Sequence, residues 1–255
     1  MPTNYKRVPA VDKCFSILEL IASARRPLGF TEIVNELGFN KSTVFNILYT
    51  LNDLMVLDKD PAGLFHLGQK LFIMGNAAAK GSELIQTIHP YLVKINSEYR
   101  VSAFLGILSG KEVIIVDKAD MAQKVKVSSE IGMKIPLFAG VAGKALLSQL
   151  PDQDVDKILE DYRFKKYTSK TNTDICETKK EIIKVREMGV AYDMEEYIEG
   201  LVAVAVPIKT NRDGLQAVIW AVGLKQEFKK SALKGITAFL KRTADDIDCR
   251  FSMIK

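Results

Sequence analysis

An α+β protein in two parts of unequal size is what this sequence predicts, and three observations carry the prediction. Residues 29 to 67 read as two short helices about a tight turn, followed by a small hairpin. Beyond Gly81 the texture changes to strand-like runs with helices between them. At 255 residues, 47% of them apolar, the chain is long for one compact core and apolar enough to fold two. The boundaries drawn from this are a small domain over 1–67, a linker helix over 68–81 and a larger domain over 82–255.

Taken in order, Val11 to Ala24 carries Val11, Cys14, Phe15, Leu18 and Ile21 at helical spacing and supplies a supporting helix. Thr31 to Leu37 starts on a capping Thr, has Glu32 in its first turn, and stops at Gly38, whose tolerance of positive φ suits a helix end. The turn is Gly38-Phe39-Asn40. From Asn40 a second helix runs to about Leu54, with Val44, Ile47, Leu48 and Leu51 as its packed face. A rotation of about 100° per residue puts Ser42, Phe45, Asn46 and Tyr49 on the other side. Met55 to Lys59 and Leu64 to Leu67 are short strands about Asp60-Pro61-Ala62-Gly63, where Pro and Gly fit a type I turn. Such a wing separates a winged helix-turn-helix from a generic helical hairpin, and it makes Ser42, Phe45, Asn46 and Tyr49 the candidates for reading base edges in a major groove.

Charge supports DNA binding only locally. In 1–67 the basic residues Lys6, Arg7, Lys13, Arg25, Arg26, Lys41 and Lys59 are matched one for one by acidic residues, so the net +5 of the chain lies elsewhere. Lys41, Ser42 and Thr43, however, stand at a helix start, where free N–H groups favour a phosphate. Arg25, Arg26 and Lys59, with the arm residues Lys6 and Arg7, are further candidates for backbone contacts.

The larger domain reads as strands at Val101 to Leu108, Val113 to Asp117, Val125 to Ser128, Leu201 to Ile208 and Ala217 to Val222. Helices fall at Leu84 to Tyr99, Ala142 to Gln149, Ile175 to Met188 and Ser231 to about Ser252. Gly68 to Lys80, with Leu71, Phe72 and Ala78 or Ala79 at helical spacing, is the linker helix. The result is a largely antiparallel sheet with flanking helices, and the unbroken apolar run Leu201 to Ile208 predicts burial on both strand faces. No run approaches the length of a membrane span and the N-terminus lacks a signal-like core, so a cytoplasmic protein is expected. Cys14, Cys176 and Cys249 form no CxxC pair and are expected to be packed.

Enzymatic chemistry finds little support. His66 and His89 have no partner at metal-ligand or triad-like spacing, so neither a metal site nor a cofactor is expected. Gly140-Val141-Ala142-Gly143-Lys144-Ala145 resembles a phosphate loop but has Phe138 and Ala145 where Gly and Ser or Thr belong. Gly143-Lys144 is better read as a turn into a helix facing a small anion. Adjacent Glu195 and Glu196 point in different directions and read as a solvated or structural acidic turn.

LGFNKSTVFNIL, FHLGQKLFIMG, IPLFAGVAGKALLSQL, YTSKTNTD and GVAYDMEEYIEGLVAVAVPI, in this order, resemble the IclR (isocitrate lyase regulator) family of bacterial transcription factors over nearly the whole chain. The resemblance implies a winged helix-turn-helix joined to a GAF-like domain that binds a small effector, frequently an organic or aromatic acid. It also implies dimers, often paired into tetramers, acting on catabolic operons as repressors or activators, with double-stranded, near-palindromic operator DNA as partner. Carried over by position, Lys41, Ser42 and Thr43 match the DNA-contacting helix start, and Asn46 stands where Arg is common. Gly140, Val141 and Ala142 lie in the effector-contacting loop, Asp193 matches the pocket aspartate, and Ala203, Trp220 and Val222 fall on pocket strands that are polar or thiol-bearing in some members. The expected ligand is therefore larger or less polar than glyoxylate or pyruvate, an aromatic acid being preferred because Trp220 offers a flat face. The alternative is a regulator whose pocket is filled by Trp220 and which works through protein partners without an effector.

Overall fold

The computed structural model describes residues 6–24, 26–120, 129–210, 215–228 and 230–253. Its contacts divide the chain into two units, Met1–Ser82 and Glu83–Lys255. In the first, α1 (Pro9–Ala24) buries Ile17 and Ile21, with Cys14 and Leu18 against them. Val11 and Phe15, expected on that face, are exposed, because the buried stripe runs through positions 14, 17, 18 and 21. Helix α2 (Phe30–Leu37) is preceded by Gly29, which caps nothing with a side chain, so Thr31 lies inside the helix rather than at its cap. It ends at Gly38, whose φ of 64° lets its N–H reach the Val34 carbonyl.

Helix α3 (Lys41–Asp53) is capped by Asn40, whose Oδ1 accepts the Ser42 N–H at 3.0 Å, and buries Val44, Leu48 and Leu51. Strands β1 (Leu57–Lys59) and β2 (Phe65–Leu67) pair antiparallel. Their turn closes where the Gly63 N–H donates to the Asp60 carbonyl at 2.9 Å. Strand β1 starts later than expected because Met55 turns the chain with a φ of 59°. Leu28 bridges to Phe65 and fixes the wing to the helices. Helix α4 (Gln69–Lys80) buries no side chain; Phe72, Ile73 and Met74 are exposed, so the spacing of its apolar residues does not mark a packed face.

The second unit begins with α5 (Glu83–Tyr99), β3 (Ser102–Ser109), β4 (Glu112–Ala119), β5 (Lys134–Pro136) and α6 (Val141–Leu147). It continues with α7 (Asp152–Glu160), α8 (Ile175–Met188), β6 (Ala191–Met194), β7 (Leu201–Ile208), β8 (Ala217–Leu224) and α9 (Lys230–Met253). The strands form one antiparallel sheet in the order β5-β4-β3-β8-β7-β6. Alternation builds two cores: Val202, Val204 and Val206 face α5 and α9, while Ala203, Ala205 and Trp220 face α6, α7 and α8. That is why β7 is apolar without a break.

Strands β5 and β6, of three and four residues, and the polar helix α7 were not anticipated; the strand expected at Val125 to Ser128 lies outside the described residues. Gly143 is not a turn. It lies inside α6, and a Cβ there would stand 1.5 Å from the Leu137 carbonyl oxygen, so only glycine lets the helix approach this strand end. Asp174 caps α8 through the Glu177 N–H at 2.8 Å. Cys176 and Cys249 are exposed and Cys14 half-buried, against the expectation that all three are packed. Their helices simply turn those positions outward.

Candidate functional site

On α3, Lys41, Ser42, Phe45 and Asn46 are exposed, while Thr43 and Tyr49 are half-buried. Packing Val44, Leu48 and Leu51 inward forces this presentation. The Ser42 hydroxyl donates to Asn40 Oδ1 at 2.9 Å, which leaves its lone pairs facing out. Phe45 and Tyr49 rings stack at 4.3 Å between centroids, continuing to Phe30 on one side and Phe65 on the other. Lys59, from the wing, lies 4.8 Å above the Tyr49 ring and donates to its hydroxyl at 2.8 Å. Tyr49 is thus the platform that ties wing to helix, and the free polar face narrows to Lys41, Ser42 and Asn46. Arg26 is not free either: both its terminal nitrogens reach the Glu32 carboxylate, which holds the guanidinium pKa above its ordinary value through the hydrogen bond and the charge of Glu32. Arg25 lies outside the described residues.

In the second unit Gly140, Val141, Ala142, Asp193, Ala203, Trp220 and Val222, drawn from four separate stretches of the chain, line one cavity of about 240 Å³. Strand register gathers them. Asp193 pairs with Ala203 and Ala203 with Val222, while one row along Ala205 pairs with Trp220 and Trp220 with Phe104. Phe104, Met133, Ile135, Tyr197 and Ile198 complete much of the wall. None of these was singled out from sequence. Phe104 had a usable signal, lying in the largely apolar run Val101 to Leu108; Ile135 sits in a strand too short to show a period, with Met133 just before it.

Trp220 stacks on Phe104 at 5.2 Å. Gly106 makes room for it: a Cβ there would meet Trp220 Cζ3 at 2.8 Å. The indole is 5% exposed, yet the cavity stays open beside it, so Trp220 is a wall and not a plug. Among the described residues the one acidic group on this wall is Asp193, whose Oδ1 accepts the Glu196 N–H at 2.6 Å. Burial pushes its pKa up, against the pull of backbone N–H groups and Lys144.

Behind the wall, Lys144 of α6 sits 2.6 Å from Glu196 and 2.8 Å from Glu181. Burial alone would lower its pKa, but the Glu196 and Glu181 charges outweigh it and hold the ammonium above its ordinary value. Lys144 therefore does not point at a ligand. Glu195, at a φ of 71°, is gripped by Lys170 and Lys225, which pull its pKa from 4.5 to about 2. Thr168 and Thr171 donate to the carbonyls of Glu195 and Glu196. The acidic turn is structural, as one of the two sequence readings held, but it is not solvated. His89 Nδ1 lies 2.9 Å from Asp117 Oδ2, a pairing hidden from the sequence by the intervening stretch of chain. Among the described residues no cluster of His, Cys, Asp and Glu fits a metal, and no helix is long and apolar enough to cross a membrane.

Three helices, a two-stranded wing and an outward polar face on α3 define a winged helix-turn-helix regulator of transcription. Residues 10–61 match the IclR helix-turn-helix domain and residues 76–249 the bacterial transcriptional regulator IclR C-terminal domain, so the chain belongs to the IclR family. It is 31% identical over 202 residues to the HTH-type transcriptional regulator BhcR of Paracoccus denitrificans, covering 79% of this chain and 72% of that one. An IclR transcriptional regulator from Alicyclobacillus acidocaldarius shares the fold with a TM-score of 0.86 at 24% identity, over 96% of this chain and 100% of its own. An IclR homologue from Microbacterium hydrocarbonoxydans, solved in complex with 4-hydroxybenzoate, has a TM-score of 0.79 at 18% identity, over 96% and 99%. The chain is accordingly a DNA-binding transcriptional regulator, and its family is one of regulators rather than enzymes.

Proposed function

We propose that this regulator acts in the cytoplasm on a catabolic operon, under the control of a small aromatic acid held in the cavity of the second unit. The observation that carries the ligand reading is the cavity itself. At about 240 Å³ it exceeds the roughly 150 Å³ that accommodates a benzene ring, and its walls are aliphatic and aromatic with few polar groups, which favours one ring over a small keto acid. The aromatic acid in the structural relative from Microbacterium is in keeping with that class. On the DNA side, a dimer would set two copies of α3 in successive major grooves roughly 34 Å apart on a near-palindromic site. Lys41 and the N–H groups at the start of α3 would hold phosphate, with Ser42, Thr43 and Asn46 toward the bases and Phe45 supporting them. The effector's influence is bounded by its differential affinity for the DNA-competent and incompetent states.

Trp220 is the sole tryptophan of the chain, so its emission reports on the cavity without labelling. Titration with a panel of aromatic and aliphatic acids is expected to give a saturable change with the aromatic class. A flat response to every acid, with blue-shifted emission throughout, would count against effector control and favour a regulator working through protein contacts.

A further inference from the structure

Asp193 is the single charged side chain among the described residues lining the cavity, and it is 6% exposed. Its Oδ2 lies beside Gly140, where a Cβ would stand only 2.9 Å away, at the wall from which α6 departs. The groups around it come from every packed element. From α6, Lys144 supplies an ammonium already shared by Glu196 and by Glu181 of α8, with the Tyr192 carbonyl of β6 at 3.5 Å. From β7, Ala203 brings no titratable group. From the following turn, Tyr197 packs its ring against Tyr167 at 4.9 Å, and Glu195 is turned away to Lys170 and Lys225. Asp193, Glu196 and Glu181 thus set three carboxylates against one ammonium.

A carboxylate ligand would add a fourth negative charge with no described cation left to meet it. Like charges held close in a poorly hydrated site do not both ionise; they share a proton. Resting on the effector reading above, we infer that the acid enters this cavity with a proton shared between its carboxyl group and Asp193, so that each acid bound takes one proton from solvent. The bound pair is then a carboxylic acid donating to a carboxylate, and total charge in the wall is unchanged. Burial already pushes Asp193 and Glu196 toward protonation, in the same direction.

Calorimetric titration with benzoate at about pH 7.5, in two buffers of different ionisation enthalpy, counts the protons, with benzyl alcohol as the uncharged comparator. We expect close to one proton per benzoate and an affinity falling about tenfold per pH unit toward the alkaline side. Benzyl alcohol is expected to take up no proton and to bind independently of pH. In Asp193→Asn the benzoate proton count should fall toward zero, and because the count on the unmodified chain stands alone, a misfolded variant does not rescue the idea. Benzoate binding without proton uptake and with constant affinity would overturn the inference while leaving the effector reading intact. Binding of benzyl alcohol alone at every pH would overturn it too. Failure of both compounds to bind would take down the effector reading and the proton linkage with it.

Discussion

The outer face of α3 and the cavity beside Trp220 are built on opposite plans. The first is assembled from one short helix: burying Val44, Leu48 and Leu51 leaves Lys41, Ser42 and Asn46 facing outward with no long-range contact required. The second exists only after four strands have paired in register, since Phe104, Asp193, Ala203 and Trp220 meet through β3, β6, β7 and β8. A local site tolerates changes in what it presents, because its side chains hold nothing together. A site made of core residues does not, because each wall residue is also packing.

The largest effect that would break this contrast is at Gly143, where any Cβ collides with the Leu137 backbone. Gly143→Val should destabilise the second unit by about 3 kcal/mol or more, read as a lower thermal midpoint and loss of the Trp220 emission typical of a buried indole. Next, Leu48→Ala, at a fully buried position, should cost about 2 to 5 kcal/mol in the first unit. Asn46→Ala, two residues away on the opposite, exposed face, should stay within about 0.5 kcal/mol in the same melt while relaxing base preference in a selection experiment. Equal destabilisation by the two would contradict the inward and outward assignment of α3.

Lys41→Ala sharpens the DNA side: it is expected to weaken all duplexes alike and to reduce the slope of log affinity against log salt by about one. An unchanged slope would remove Lys41 from the phosphate contacts. The smallest effect is at Glu195. Its pKa in the folded chain is depressed from 4.5 to about 2 by Lys170 and Lys225, so its contribution is fully present above pH 4.5 and is lost as pH falls toward 2. Glu195→Gln should lower the thermal midpoint at neutral pH, and the gap to the unmodified chain should close over that acidic window.

What could be read from sequence follows the same division. The period of α3, the Gly38 stop and the Asp60-to-Gly63 turn are local, and all stand where the residues placed them. Thr31 misled because Gly29 already ends the preceding extended segment, leaving Thr31 inside the helix. Residues of the cavity wall were reachable only by family resemblance or by strand alternation, and β5 and β6 are too short to display it. Whether Trp220 filled the cavity could not be read at all: the answer depends on Gly106, two residues along on the neighbouring strand, vacating the space that the indole occupies. The partners of Lys144, Glu195 and His89 were equally hidden, since groups separated by long stretches of chain leave no periodic mark.

The most direct test of the central claim, that α3 reads DNA sequence, is selection of duplexes from a random pool followed by affinity measurement at fixed salt. A discrete, near-palindromic site bound at least about a thousandfold more tightly than random duplex is expected. Equal affinity for selected and random duplexes would contradict it.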